Sequence, residues 1–378
     1  MGQYASKPMH GRGGLSKLQP MRCPELTPMN PQAAVVGTGL AGASCARWLA
    51  DAGWQLQVFD KARGPGGRLA TRRLAWTAPD GQARTTRLDH GAPDFGAVDP
   101  AFQGALTRAE AQGWCLTWNP DHPGGAAGAR AGTARRWLGR SGMPDWCRGL
   151  LEGLPARWSC AIDALGRDGR GWWLEAAGQR VAEGLDALVL ALPPAQAAPL
   201  LAPWRPDWAR VAAAVPMQPC WTVMGVSTEL AQEAPAGAPV RPDTGPLARV
   251  LRQDARPGRE RRPGEAHWVL QATSAWSRQH LEDSPEAVLR ALQTALAEWL
   301  GQPVFWRSAV AHRWRYAVPA QAPAGPSHWW DAGLGLGVCG DFLGGAALPP
   351  GVEPVERAWT SARDLALAVQ TSAVEVLA

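Results

Sequence analysis

Three glycines, at positions 37, 39 and 42, stand between a short apolar run and an amphipathic one, and no other feature constrains the fold of this chain as tightly. Ala33-Ala34-Val35-Val36 reads as a buried strand, Gly37-Thr38-Gly39-Leu40-Ala41-Gly42 as a turn entering a helix, and Gly53 as the helix stop. In such a turn the first glycine permits the bend, the second lets backbone amides approach a pyrophosphate, and the third lets the helix pack on the strand. A second strand from Trp54 ends in Asp60, eighteen residues after Gly42. Its carboxylate is placed to accept hydrogen bonds from a ribose and would repel a 2′-phosphate. An α/β, Rossmann-like sheet that holds a dinucleotide is the expectation.

That fingerprint alone suits either NAD or FAD, and the segment just after the second strand separates them. Lys61-Ala62-Arg63-Gly64-Pro65-Gly66-Gly67-Arg68 supplies a second glycine cluster, Gly66 and Gly67, able to close over a pyrophosphate, with Arg68 to neutralise its charge. Simple nicotinamide dehydrogenases lack this segment. Near the C-terminus, Gly335 to Cys339 reads as a strand running into Gly340-Asp341, where an acid can meet ribityl or pyrophosphate oxygens. A helix expected from Pro354 to Val369 would then aim its N-terminus, at Val355 and Glu356, toward a flavin ring, where its partial positive charge favours an anionic reduced flavin. The combination resembles the glutathione-reductase-like FAD proteins of the amine oxidase clan.

Other segments give the remaining outline. Strands are expected at Trp172 to Glu175, Leu185 to Leu192 and Trp268 to Ala272, and a helix at Pro285 to Leu300 with Ser284 as N-cap and Val288, Leu289, Leu292, Leu296 and Leu300 on its apolar face. The Pro/Gly/Arg-rich stretch 232–264 reads as a surface loop or insertion, and its Arg256, Arg259, Arg261 and Arg262 as solvated. Without a nucleic-acid motif or interleaved aromatics there, nucleic acid is not expected as a partner. Residues 1–30 have neither a signal-peptide core nor a helical period and read as a disordered tail. Seven scattered cysteines without a CxxC pair argue against structural zinc, a metal site or a disulfide framework, and for a reducing cytoplasm. No apolar run approaches the roughly 20 residues of a membrane helix.

Val35 to Arg73, Leu88-Asp89-His90-Gly91-Ala92, Ser141-Gly142-Met143, Trp268 to Leu281, His312-Arg313-Trp314-Arg315-Tyr316-Ala317 and Gly340-Asp341 together resemble the bacterial renalases, over most of the chain beyond Pro31. The resemblance implies an FAD-dependent oxidase that converts 2- and 6-dihydro isomers of NAD(P)H to NAD(P)+ by hydride transfer, with O2 reduced to H2O2. It adds Leu40, Ala41, Lys61 beside the ribose, and Ile162 to the expected FAD contacts. Three departures stand out: Arg357 where the family has a small residue, a longer stretch from Gly344 to Pro354, and the unmatched loop from Gln232 to Gly264.

True amine oxidases place a lysine near the flavin and aromatics, often tyrosines, around the amine. Here Lys61 is the only lysine, and Tyr316 the only tyrosine, beyond the tail. Hydride loss from a dihydropyridine makes an aromatic ring with no proton to remove, so positioning matters more than a general base. His90, His312 and Arg313 are the candidates to hold the substrate, with Trp314 or Tyr316 stacking on its ring. The alternatives are an amine oxidase or desaturase of the same fold, or a non-catalytic FAD-binding module. The expected architecture is a discontinuous FAD domain (31–95, 140–200 and 333–378) with non-covalent FAD, and a second α+β substrate domain (96–139 and 201–332).

Overall fold

A six-stranded sheet carries the glycine fingerprint at its centre. The computed structural model describes residues 1–2, 30–119, 135–230, 240–242, 244–321, 324–344 and 351–377. The expected tail therefore lies outside the described residues apart from its ends, as do parts of 232–264 and of 344–354. The strand order is His328–Asp331, Leu336–Cys339, Ala187–Leu190, Gln32–Val36, Gln55–Phe59, Ala156–Arg157. All neighbours are parallel except the His328–Asp331 edge strand. Ala33 to Val36 are buried on both faces, as a central parallel strand requires. Alternate residues feed two cores. Val35, Val58 and Val189 face the helices Leu40–Asp51 and Pro354–Leu377, while Val36, Phe59 and Leu190 face Trp172, Leu201 and Phe342.

Gly53, at φ +91°, follows the end of the first helix as expected. The segment read as one strand from Leu185 is two: Gln179–Leu185 belongs to a three-stranded antiparallel sheet, and Ala187–Leu190 to the parallel sheet. The last helix runs on to Leu377.

A second, antiparallel sheet has the order Leu247–Arg252, Glu265–Ala272, Met217–Thr228, Trp306–Pro319. The helix Pro285–Leu300 covers one face, with Val288, Leu292 and Leu296 buried against Trp221, Trp268 and Leu270. Burial of each such side chain contributes roughly 1.5–3 kcal/mol. The Ser284 hydroxyl accepts from the Ala287 amide at 3.2 Å, and Gly301 ends the helix at φ +65°. On the other face sits the hairpin Thr71–Thr77/Ala83–Asp89, whose Leu74, Trp76 and Leu88 pack on Met224, Val226, Leu251 and Val269. Among the described residues no helix is long and apolar enough to cross a membrane.

The stretch 232–264 corrects the sequence reading. Residues 247–255 are no surface loop: Leu247–Arg252 is an edge strand, followed by a single 3-10 turn, Gln253–Ala255. Arg256 and Arg259, expected in solvent, have side chains only 0% and 2% exposed. They are buried because Asp89 compensates them: its carboxylate accepts from Arg259 Nε at 2.7 Å and lies 3.8 Å from Arg256 Nη1. Arg256 also lies 3.6 Å from Asp94. Of the four, Arg261 alone falls among the exposed residues, as expected.

Candidate functional site

Two glycine loops face each other across the N-terminus of the first helix. The Gly66 amide donates to the Thr38 carbonyl at 2.9 Å, and Gly66 and Gly67 take φ values of +123° and +50°, which side chains disfavour. A Cβ on Gly42 would meet the Gly37 carbonyl oxygen at 1.9 Å, so that glycine serves close helix–strand packing. Gly39 differs. A Cβ there would meet nothing nearer than the Gly67 Cα at 4.0 Å. As N-cap, Gly39 offers no side-chain hydrogen bond, and the first turn, with Leu40 and Ala41, carries no acid. Free amides, the positive end of the helix dipole and open space in front of Gly39 form a cradle for a phosphate group.

Asp60 closes one side of this cradle. Its carboxylate accepts from the Thr38 amide at 2.7 Å, the Thr38 hydroxyl at 2.5 Å and the Ala62 amide at 2.8 Å. Those three bonds leave one of about four acceptor positions for a ribose hydroxyl. The Cys160 amide donates to the Asp60 carbonyl at 2.9 Å, which brings half-buried Ile162 into the same neighbourhood. Lys61 points to Gln196, at 3.1 Å.

Arg68 and Asp341, far apart in sequence, form a two-pronged ion pair at 2.7 and 2.6 Å, with Asp341 almost wholly buried behind Gly340. Arg68 Nη1 also donates to the Ala317 carbonyl at 3.2 Å. One arginine thus ties the cofactor-type motifs to the strand that carries His312, Trp314 and Tyr316. Val355 and Glu356 open the last helix as expected, but the buried Glu356 carboxylate accepts from the Val98 and Asp99 amides and so holds the loop before helix Pro100–Ala111.

His90, His312 and Trp314 come together. The two imidazoles meet edge to face with centroids 4.9 Å apart, Trp314 lies 4.5 Å from His312 and 5.0 Å from His90, and its indole N–H donates to the His90 carbonyl at 2.9 Å. Burial pushes His90 down to about 3, with His312 and Arg72 adding to the effect, and burial followed by Arg72 also lowers His312. Both rings are therefore neutral near pH 7. His90 is 6% exposed, and its Nδ1 has no hydrogen-bond partner among the described residues.

Arg313 is not part of this group, which corrects its expected position beside the histidines. Side chains alternate along Trp306–Pro319, so Arg313 projects to the opposite face, where it donates to Glu282 at 3.0 Å and lies over Trp221. Tyr316 falls in an irregular stretch between the Cys220–Trp314 and Gln218–Val318 pairings and is half-buried. The sequence reading missed Arg72. Its position in the hairpin strand, in step with Leu74 and Trp76, is what points to the histidines.

A family model described as an NAD(P)-binding Rossmann-like domain matches residues 35–106, the part with both glycine loops and the hairpin. Among solved structures, the chain is similar to a putative protoporphyrinogen oxidase from Exiguobacterium sp. 255-15, with 12% identity, a TM-score of 0.61 and coverage of 91% of this chain and 99% of that one. It is also similar to a variant of putrescine oxidase, with 14% identity, a TM-score of 0.59 and coverage of 90% and 99%. Cyclohexylamine oxidase from Brevibacterium oxydans IH-35A matches with 12% identity, a TM-score of 0.52 and coverage of 91% and 100%. At such identities the likeness is one of fold. The chain is a mixed α/β protein with a Rossmann-like nucleotide-binding domain, in the architecture these oxidases share.

Proposed function

We propose that the chain is an FAD-dependent oxidase that holds FAD non-covalently in the segments 31–95, 140–200 and 333–378, and oxidises 2- and 6-dihydro isomers of NAD(P)H to NAD(P)+. The observation that carries this reading is the open, uncapped helix N-terminus at Gly39, faced by Gly67 and linked through Arg68 to the histidine–tryptophan cluster. The residues present fit FAD: the Gly39 cradle and Arg68 suit its pyrophosphate, Asp60 a ribose hydroxyl, and Asp341 the ribityl chain. Cys339 is fully buried in its strand, in keeping with non-covalent binding. When bound, FAD would supply an acceptor for the hydride and a route for both electrons to O2, which with a proton from water becomes H2O2.

The chain's own part is to position. Trp314 and His312 offer ring faces and edges against which a flat heterocycle can stack. His90 presents an unpaired nitrogen to a polar substituent, and both imidazoles are held neutral, so neither supplies a charged acid. Loss of hydride from a dihydropyridine leaves an aromatic pyridinium and requires no base. An amine substrate has the names of two structural neighbours in its favour. Against it, the cluster faces the cation Arg72, and Lys61 lies away at Gln196.

The test is Gly39→Trp. Because a Cβ at Gly39 meets nothing nearer than the Gly67 Cα at 4.0 Å and the backbone there is extended, the variant should fold, keep its far-UV circular dichroism and purify without flavin, whereas the parent purifies yellow. A yellow, folded variant would put the pyrophosphate elsewhere.

A further inference from the structure

Strand alternation places the hairpin side chains Trp76, Leu74 and Arg72, with Arg84, Thr86 and Leu88, on the face that packs against the antiparallel sheet. Opposite them, Val310 packs with the hairpin, and His312 and Trp314 continue the same face of their strand. The two ends of this seam differ. At one end Arg84 meets the buried carboxylate of Glu265 at 2.5 Å, and Glu265 also takes the ring nitrogen of His267 at 3.1 Å. At the other end Arg72 has no hydrogen bond or ion pair among the described residues, yet its charge reaches both His90 and His312. The nearby acids are committed: Asp89 lies on the opposite side of its strand, bonded to Thr71, Gln253 and Arg259, and Asp341 is held by Arg68.

We propose that Arg72 and the unpartnered Nδ1 of buried His90 bind an anionic group, a carboxylate or a phosphate, on the substrate whose ring rests against His312 and Trp314. The inference rests on the oxidase reading and narrows its substrate class. The exposed Arg72 guanidinium, without an acid among the described residues, and the buried His90 Nδ1, without a partner among them, both gain charge-assisted hydrogen bonds from an oxyanion that reaches the two. The same guanidinium repels an ammonium group brought into that space. Arg72 is thus a specificity-determining residue, and the arrangement selects against amines.

The test is calorimetric titration of the purified full-length protein with benzoate, phenyl phosphate, benzamide and benzylamine, in the parent, Arg72→Gln and Arg73→Gln. Arg73 is the control because alternation turns it to the other face of the hairpin. In the parent, benzoate or phenyl phosphate should bind at least about tenfold more tightly than benzamide, and benzylamine most weakly; which anion wins tells a carboxylate from a phosphate. Arg72→Gln should erase the preference and Arg73→Gln should keep it. The proposal fails if neither anion binds, if benzamide or benzylamine equals the anions, or if both variants behave alike. It also fails if Arg72→Gln loses flavin, since Arg72 then serves the cofactor. The visible spectrum of each sample keeps the two readings apart: a parent without flavin defeats the oxidase reading, and a yellow parent indifferent to charge defeats only this one.

Discussion

Asp89 and His90 are consecutive residues at the end of one hairpin strand, and they face opposite fates. Asp89 is fully buried and saturated: Thr71, Met143, Gln253 and Arg259 all donate to it, at 2.5 to 3.2 Å. Burial pushes its carboxyl up, but Arg259 and Arg256, aided by Thr71 and Gln253, outweigh that and hold it below the usual carboxylate range. His90 is nearly as buried, yet among the described residues its Nδ1 has no partner, and Arg72, whose charge acts on it, has no acid. A buried charge with all its partners present fixes how three segments meet. A buried polar atom without one can take a partner from outside the chain.

The contrast can be broken at three points. The largest effect is expected from Asp89→Ala, which leaves Arg259 buried without its acid and Arg256 with Asp94 alone, and should cost about 3–5 kcal/mol in urea unfolding. A loss below about 1 kcal/mol would make the Asp89 cluster as dispensable as a surface pair. Next comes acid sensitivity. With its folded-state value near 3 and an ordinary value of 6.5, His90 takes up a proton in the unfolded chain first, so its contribution is full above pH 6.5 and is lost as pH falls toward 3. Unfolding of the parent should therefore lose up to about 1.4 kcal/mol per pH unit relative to His90→Asn over that window. Parallel pH profiles would mean that His90 already has a partner. The smallest effect belongs to Arg72→Gln, which should change stability by less than about 0.5 kcal/mol, because the side chain is exposed and gives up no hydrogen bond or ion pair among the described residues. A larger loss would move Arg72 into the structural group beside Asp89.

The cofactor half of the site was legible because backbone geometry demands particular residues. Gly37, Gly42 and Gly66 tolerate no side chain, and Gly340-Asp341 follows a strand, so each leaves a mark in sequence. The helix at Pro285–Leu300 was equally plain from its period and its Ser284 cap. The edge strand Leu247–Arg252 was hidden by the Pro/Gly/Arg content around it, and the burial of Arg259 depends on an aspartate 170 residues earlier, which no local pattern reveals. Arg313 was placed with its neighbours by proximity in sequence, although the two-residue period of a strand already separates it from His312 and Trp314. The same period, applied from Trp76 back through Leu74, leads to Arg72.

The most direct measurement is the visible spectrum of the purified protein under anaerobic conditions, before and after addition of the 2- and 6-dihydro isomers of NADH, of ordinary NADH, and of putrescine and cyclohexylamine. A flavin spectrum bleached rapidly by the dihydro isomers, and by neither amine, is the predicted result. Bleaching by an amine, or a protein without flavin absorbance, would contradict it.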